Sequence, residues 1–411
     1  MKELLLWVLP NNGYDTVPAV REHLSAFCRE HPGLRVSVWV RTQDSMWRRL
    51  FELLKDPQLR PRPDVVQIPS QWTSSLADLK LLKELGEPGP APDLGRWLPG
   101  LRDHCRHLDK PQVYSLPWFL ELRVLYYRRE VLRRHGIDPE TALATWDGLR
   151  EACRTLAKRR RHGAPEFPLA NPNPKESVSM LDLAPCVWAR GGDFFSLDGS
   201  RAIFQREDAC RGIADYFDLL ASGWMSLKGS AGLPPKGFFE GGSAMQFSGR
   251  LPPAAPARPG GRGAARAEAG ELRAVPIPGG EGAALLNAQS LAILSGTESP
   301  REAEALLQHV VDPETAAGYA RGLGVFPATE SGFRGAFEGF PELRPVFEGA
   351  LAKARLLPNL RTLGTLEQVF DRSMERLVSG VVAKTYSPDS LRSELIHAGA
   401  EVDYIMSLTQ R

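Results

Sequence analysis

Apolar residues follow two rhythms in the first third of the chain. Short continuous runs at 3–9, 34–40 and 64–68 have the length of buried strands. Between them apolar positions recur at helical spacing, first at Val17, Val20, Leu24, Phe27 and Cys28, then over about 45–54 and 74–85. Asn11-Asn12-Gly13 turns the chain after the first run. Strand, helix, strand, helix, strand in this order predicts a parallel sheet with right-handed crossovers. The absence of polar alternation in the strands predicts that both faces of that sheet are covered.

The middle of the chain, about 118–275, reads as a second, more helical unit. Helices are predicted over 145–160, with Thr145 as cap, and over 207–222. Turns fall at Gly191-Gly192-Asp193 and Asp198-Gly199, and 238–247 is a loop feeding a strand. Residues 251–270, rich in Pro, Ala, Gly and Arg, lack the apolar surface to order themselves and read as an exposed insertion. A strand at 290–294 returns the chain to the first unit. Helices over 300–311, 313–321, 341–354, 363–379 and 388–408 complete it, without an internal repeat.

Length and composition narrow the function. The 411 residues suit two units of roughly 150–200 residues better than one core. Hydrophobic content of 43% and charged content of 24% are those of a globular protein. A net charge of +2 offers no basis for binding nucleic acid. The basic runs Arg128-Arg129, Arg133-Arg134 and 158–161 are expected as solvated helix faces and ends. No apolar stretch approaches the ~18–20 residues of a membrane span. Residues 4–9 read as a buried strand and not as a signal peptide. The five cysteines form no metal-ligand pattern, and Cys28 and Cys153 sit at apolar helix positions as small core residues. The pair His104 and His107 has no evident third ligand, so no metal site and no cofactor is expected. Hydrolase, metalloprotease and phosphate-loop signatures are missing, and no catalytic residue is nominated.

A run of short motifs carries a resemblance. Residues 112–119 end in Leu116-Pro117-Trp118-Phe119; Val124-Leu125-Tyr126-Tyr127, Gly136-Ile137-Asp138-Pro139 and Thr145-Trp146-Asp147-Gly148-Leu149 follow. Upstream lie Phe27 to Pro32 with Val36-Ser37-Val38, and Pro63-Asp64-Val65-Val66. Downstream lie Gly191-Gly192, Phe239-Glu240-Gly241-Gly242-Ser243-Ala244-Met245, Pro276-Ile277-Pro278-Gly279, and Gly322 to Pro327. In this order they resemble the extracellular (periplasmic) solute-binding proteins of ABC importers, in the sugar-binding, maltose-binding-protein-like branch. Two departures stand out: Asn287-Ala288-Gln289 stands where the family usually has paired glycines, and the 251–270 insertion is unusually rich in Arg, Gly and Pro.

The resemblance implies an α/β, two-lobed periplasmic-binding-protein fold of type II, with hinged lobes, central sheets flanked by helices, and a helical C-terminal tail. The implied lobes are 1–113 with 288–325, and 114–287 with 326–411, joined by a three-stranded hinge near 113–117, 280–290 and 325–329. It further implies a monomer that captures a solute between the lobes and delivers it to ABC permease subunits without transforming it. The implied location is periplasmic or at the cell surface, and the missing leader leaves a cytoplasmic one open. An intracellular ligand sensor and a carbohydrate-active enzyme are the alternative functions.

Ligands of open α/β sheets bind at the carboxyl ends of strands. That rule nominates Asn11, Asn12 and Tyr14 after the first strand, Gln43 and Asp44 after the second, and Ser70, Gln71 and Trp72 after the third. Trp118 and Glu121 at the crossover, Trp188 before the double glycine, Ser248 and Arg250 after the 244–247 strand, and Asn287 and Gln289 at the last return complete the set. Trp72, Trp118 and Trp188 suit stacking on sugar faces, the amides suit hydroxyls, and no cluster of like charge is evident, so a neutral carbohydrate is expected. Each of these tryptophans also has a packing reading: Trp118 between lobes, Trp72 as a staple of the following helix. Trp7, Trp39 and Trp146 read as core.

Overall fold

The computed structural model describes residues 2–10, 16–87, 90–158, 167–170, 178–225, 238–252, 272–279 and 284–409. Ten strands are β1 Lys2–Val8, β2 Leu34–Val40, β3 Val65–Pro69, β4 Ser115–Leu122, β5 Val124–Arg128, β6 Phe167–Ala170, β7 Ser243–Ser248, β8 Leu272–Val275, β9 Leu286–Ile293 and β10 Phe326–Pro327. They form two sheets, of order β10-β4-β9-β3-β1-β2 and β6-β7-β5-β8.

Alternation along β1 builds both faces of the first sheet. Leu4, Leu6 and Val8 pack with Val20, Leu24 and Phe27 on one side. Trp7 packs on the other with Met46, Trp47, Leu50 and Trp72. Val20, Phe27, Met46, Trp47 and Leu50 come from helices Thr16–His23, Ser25–Glu30 and Gln43–Lys55, which stand where the apolar spacing places them, while Leu24 links the first two and Trp72 ends the turn Ser70–Trp72. The predicted parallel pairing holds for β2-β1-β3. Beyond β3 the sheet becomes antiparallel, through β9, β4 and β10. A separate core surrounds the second sheet and includes Trp146, Leu183, Phe217, Phe370 and Leu395.

Three expectations need correction. The third helix, read over 74–85, is only Thr73–Asp78. Lys80 takes a positive φ of 56°, and the Leu81 N–H closes the helix on the Leu76 carbonyl at 3.0 Å. Leu82 then bridges to Leu294, so its apolar spacing serves an extended segment. Trp39, read as core, is 42% exposed because β2 is the sheet edge, whereas Trp7 and Trp146 are buried. Helix Met180–Ala189 has no counterpart among the predicted elements. It is buried on nearly every side and carries Pro185, so it shows no amphipathic stripe.

Of the segments expected at the hinge, 280–290 contains a passage between the sheets, at Leu285. Segments 113–117 and 325–329 run into β4 and β10, which are paired inside the first sheet. The apolar run of β4 continues to Leu122, and Arg123 alone separates it from β5. There the Arg123 N–H donates to the Leu285 carbonyl at 2.9 Å, and Leu285 bridges to Arg355. Three passages, at 123, 284–285 and about 355, therefore lie side by side. Beside them the Leu122 N–H donates to the Gly249 carbonyl at 3.0 Å.

Candidate functional site

A row of polar side chains crosses the first sheet at its junction with the second. Gln67, an amide inside the otherwise apolar β3, accepts from the Leu9 N–H at 3.0 Å and donates to Gln289 Oε1 at 3.2 Å. Two residues before Gln289 on β9, Asn287 stands opposite Glu121 of β4. Side chains paired in this way share a face. From the second sheet, Arg250 reaches Glu121 with Nε to Oε1 at 2.5 Å. The turn after β7 fixes Arg250: its N–H donates to Ser248 Oγ at 3.2 Å, and its carbonyl accepts from Tyr126 Oη at 2.8 Å. Gly249 permits this approach, since a Cβ there would lie 2.7 Å from that of Glu121.

Two atoms in this row are buried with no hydrogen-bond partner among the described residues, Arg250 Nη1 and Asn287 Oδ1. An unsatisfied buried polar group costs about 1–3 kcal/mol. A donor and an acceptor left open beside an ion pair are complementary to hydroxyl groups, which both donate and accept.

On the other side of β3, the first lobe meets helix Leu363–Val382. Trp72 Nε1 donates to Glu367 Oε2 at 2.7 Å and Gln71 Nε2 to Glu367 Oε1 at 3.4 Å. Gly364, one turn earlier, faces the Trp47 ring so closely that a Cβ would overlap it. Gln368 donates to Asp44 at 3.4 Å, and Asp371 lies one turn beyond Glu367. Burial pushes the Glu367 carboxyl up to about 7, against the pull of its two hydrogen bonds. Burial also raises Asp371 well above the usual carboxylate range, reinforced by Glu367, Asp182, Asp44 and Glu375.

The raised Glu367 has a testable consequence. Its folded state holds a proton more tightly than the unfolded chain, so its contribution is fully present below about pH 4.5 and lost as pH rises through 7. Glu367→Gln removes this dependence. The stability of the native protein relative to that variant is expected to fall by about 3 kcal/mol between pH 4.5 and 8, measured by urea unfolding.

The nominated residues separate into distinct fates. Glu121, Arg250, Asn287 and Gln289 come together in the row, with Ser248 as the support of Arg250. Gln71, Trp72 and Asp44 belong to the junction with helix Leu363–Val382, and Gln43 opens helix Gln43–Lys55 beside Asp44. Asn11, Asn12, Tyr14 and residues 253–271 lie outside the described residues. Ser70 is turned inward, its hydroxyl 2.6 Å from that of Ser290.

The tryptophans contradict the stacking expectation. Trp118 is 1% exposed and stacked on Tyr319 at 4.4 Å between centroids. Trp72 is buried against Trp47. Trp188 is buried under the Arg355 guanidinium, 4.5 Å from its ring, and donates to Asp193. Each ring is already covered by protein, so none offers a face to a ligand. Three carboxyls, Asp44, Glu367 and Asp371, also gather at the junction, two of them held toward the neutral form by burial.

Sequence reasoning missed Gln67, Glu367 and Asp371. The signals were present: an amide within the apolar run Val65-Val66-Gln67-Ile68, and an acid inside the buried stripe Leu363, Leu366, Phe370, Met374. His104 and His107 turn to separate partners, the Leu357 carbonyl and Asp78. No group of three or more His, Cys, Asp or Glu among the described residues is placed to hold a metal. All five cysteines are free, and burial pushes the Cys153 thiol up to about 12, an inert value.

The two sheets are joined by adjacent passages, and polar groups converge where they meet. The sequence profile of the bacterial extracellular solute-binding proteins matches residues 24–335. The chain belongs to this family. Among solved structures, the GacH receptor of Streptomyces glaucescens, studied unliganded and with acarbose, shares 18% identity over 99% of this chain and 98% of its own, with a TM-score of 0.77. Maltose-bound MalE3 of T. maritima shares 18% over 97% and 99%, also at 0.77. A binding protein associated with an ABC transporter of B. animalis subsp. lactis, in complex with β-1,6-galactobiose, shares 17% over 100% and 98%, at 0.76. A search of curated protein sequences returned no significant match. The two-lobed fold and the solute-binding family, both expected from the ordered motifs, are thereby established.

Proposed function

We propose that this solute-binding protein captures a carbohydrate or oligosaccharide between its two sheets and delivers it, unchanged, to the permease of an ABC transporter. The open pair Arg250 Nη1 and Asn287 Oδ1, set beside Glu121 at the junction, carries this reading. The amides Gln289 and Gln67 extend it along the row. A sugar presents alternating donor and acceptor hydroxyls, which match such a row better than a carboxylate or phosphate would, since Arg250 is already neutralised by Glu121. The passages at 123, 284–285 and 355 are then the hinge, dividing the lobes after Leu122 and near Arg355. A few residues there absorb the rotation, and ligand contacts to both lobes favour the closed form. The protein acts as a monomer in the periplasm or at the cell surface. Family membership supports that location, and no helix among the described residues is long and apolar enough to cross a membrane.

Mass spectrometry of small molecules co-purified with the protein, followed by a thermal-shift screen, tests the proposal. A bound glycan is expected, stabilising by roughly 2.7 kcal/mol at 100-fold its dissociation constant, and returned intact after prolonged incubation. Selective stabilisation by amino acids, peptides or phosphate, with no glycan effective, would overturn it.

A further inference from the structure

Helix Leu363–Val382 belongs to the second lobe and yet is fastened to the first. Its Leu363, Leu366, Phe370 and Met374 lie in the core around the second sheet. Its first two turns also meet the first lobe, where Glu367 accepts from Trp72 Nε1 at 2.7 Å and from Gln71 Nε2 at 3.4 Å, and Gln368 donates to Asp44. The chain that leads into the helix crosses with it. The Leu357 carbonyl lies 3.0 Å from His104 Nε2, the Leu360 carbonyl accepts from Ser75 Oγ at 2.9 Å, and Arg361 pairs with Asp78 and Asp109.

Among these contacts Glu367 stands apart, because it is a carboxyl only 4% exposed. No cation faces it among the described residues. Gln71 and Trp72 are neutral donors, and Asp44 of the first lobe and Asp371 and Glu375 of its own helix are acids. Asp182, on helix Met180–Ala189, is held by Arg123, while Arg361 and His107 are both taken by Asp78.

We infer that Glu367, Trp72 and Gln71 form a proton-sensitive latch between the two lobes. This rests on the hinge reading above and is independent of the class of solute. Parting the lobes exchanges burial and two neutral donors for water, which favours the ionised carboxyl. In the latched form burial holds Glu367 up to about 7, from an ordinary value of 4.5. Opening returns it toward that ordinary value. The closed form therefore binds the proton more tightly, and its share rises as pH falls through 7 toward 4.5. Acid then keeps the cleft shut, and neutral or alkaline conditions release it for exchange with solute.

Pulsed electron resonance between nitroxides at Arg48→Cys and Ser393→Cys, one exposed position on each lobe, tests this in a chain carrying Cys28→Ser and Cys210→Ser. The ratio of closed to open protein is expected to be about 30-fold higher at pH 5.5 than at pH 8. Glu367→Gln, neutral at every pH, is expected to lose most of this change and to stay closed at pH 8. Trp72→Phe, which keeps an aromatic ring but no donor, is expected to raise the open share at both pH values. A ratio that does not move with pH, or that moves as far in Glu367→Gln as in the native chain, would overturn the latch. Two distances in the same samples would then leave the hinge standing. A single distance in all three proteins at both pH values would remove hinge and latch together.

Discussion

Arg250→Ala is expected to lower both stability and affinity. It leaves Glu121 confronting the junction without its cation, in a pair whose side chains are each 16% exposed. Breaking a largely buried pair from one side costs about 3–5 kcal/mol. Partial access to water places this case near the lower end. The same change removes the open Nη1 donor, so glycan affinity is expected to fall by about 2–4 kcal/mol, roughly 30-fold or more. Adding Glu121→Gln separates the two effects, because a neutral amide no longer needs the guanidinium. The double variant is expected to recover most of the stability in urea unfolding and none of the affinity in calorimetry. Native affinity in folded Arg250→Ala would remove the row from the binding site.

Trp118→Ala is expected to act on folding and to leave binding alone. Its ring lies on Tyr319 and beside His23, inside the core of the first lobe. Truncating a buried aromatic to alanine costs about 3–5 kcal/mol, from lost contact and from the cavity left behind. Burial already holds His23 down to about 4, so this region stays neutral across the physiological range. Urea unfolding measures the loss, and calorimetry below the transition is expected to return unchanged glycan affinity. Weakened binding in a fully stable Trp118→Ala protein would restore the ligand-wall role.

These two residues show what was legible in the chain. Strands β1 to β3 and the helices between them follow from local spacing, because the covered strands β1 and β3 demand continuous apolar runs, while β2 at the sheet edge keeps its run although partly exposed. The helices from 300 onward are amphipathic, and their periodicity is local too. Which tryptophan face is covered is not a local property. Trp118 and its cover Tyr319 lie far apart in sequence, and only the pairing of β4 with β9 and β10 brings their elements together. Glu121, Arg250 and Asn287 were each nominated from strand ends, yet their meeting depends on the β4–β9 register and on the missing side chain of Gly249. Helix Met180–Ala189 escaped for the opposite reason, as a segment buried all round has no polar face to reveal its period. Strand β4 continues past Pro117 to Leu122, so the chain leaves the first sheet only at Arg123.

A crystal structure of the protein with the glycan that binds it most tightly tests the central claim most directly. The expected result is a ligand lying between the two sheets, with hydroxyls within about 3 Å of Arg250 Nη1 and Asn287 Oδ1. A ligand seated on one lobe alone, with both atoms left untouched, would contradict it.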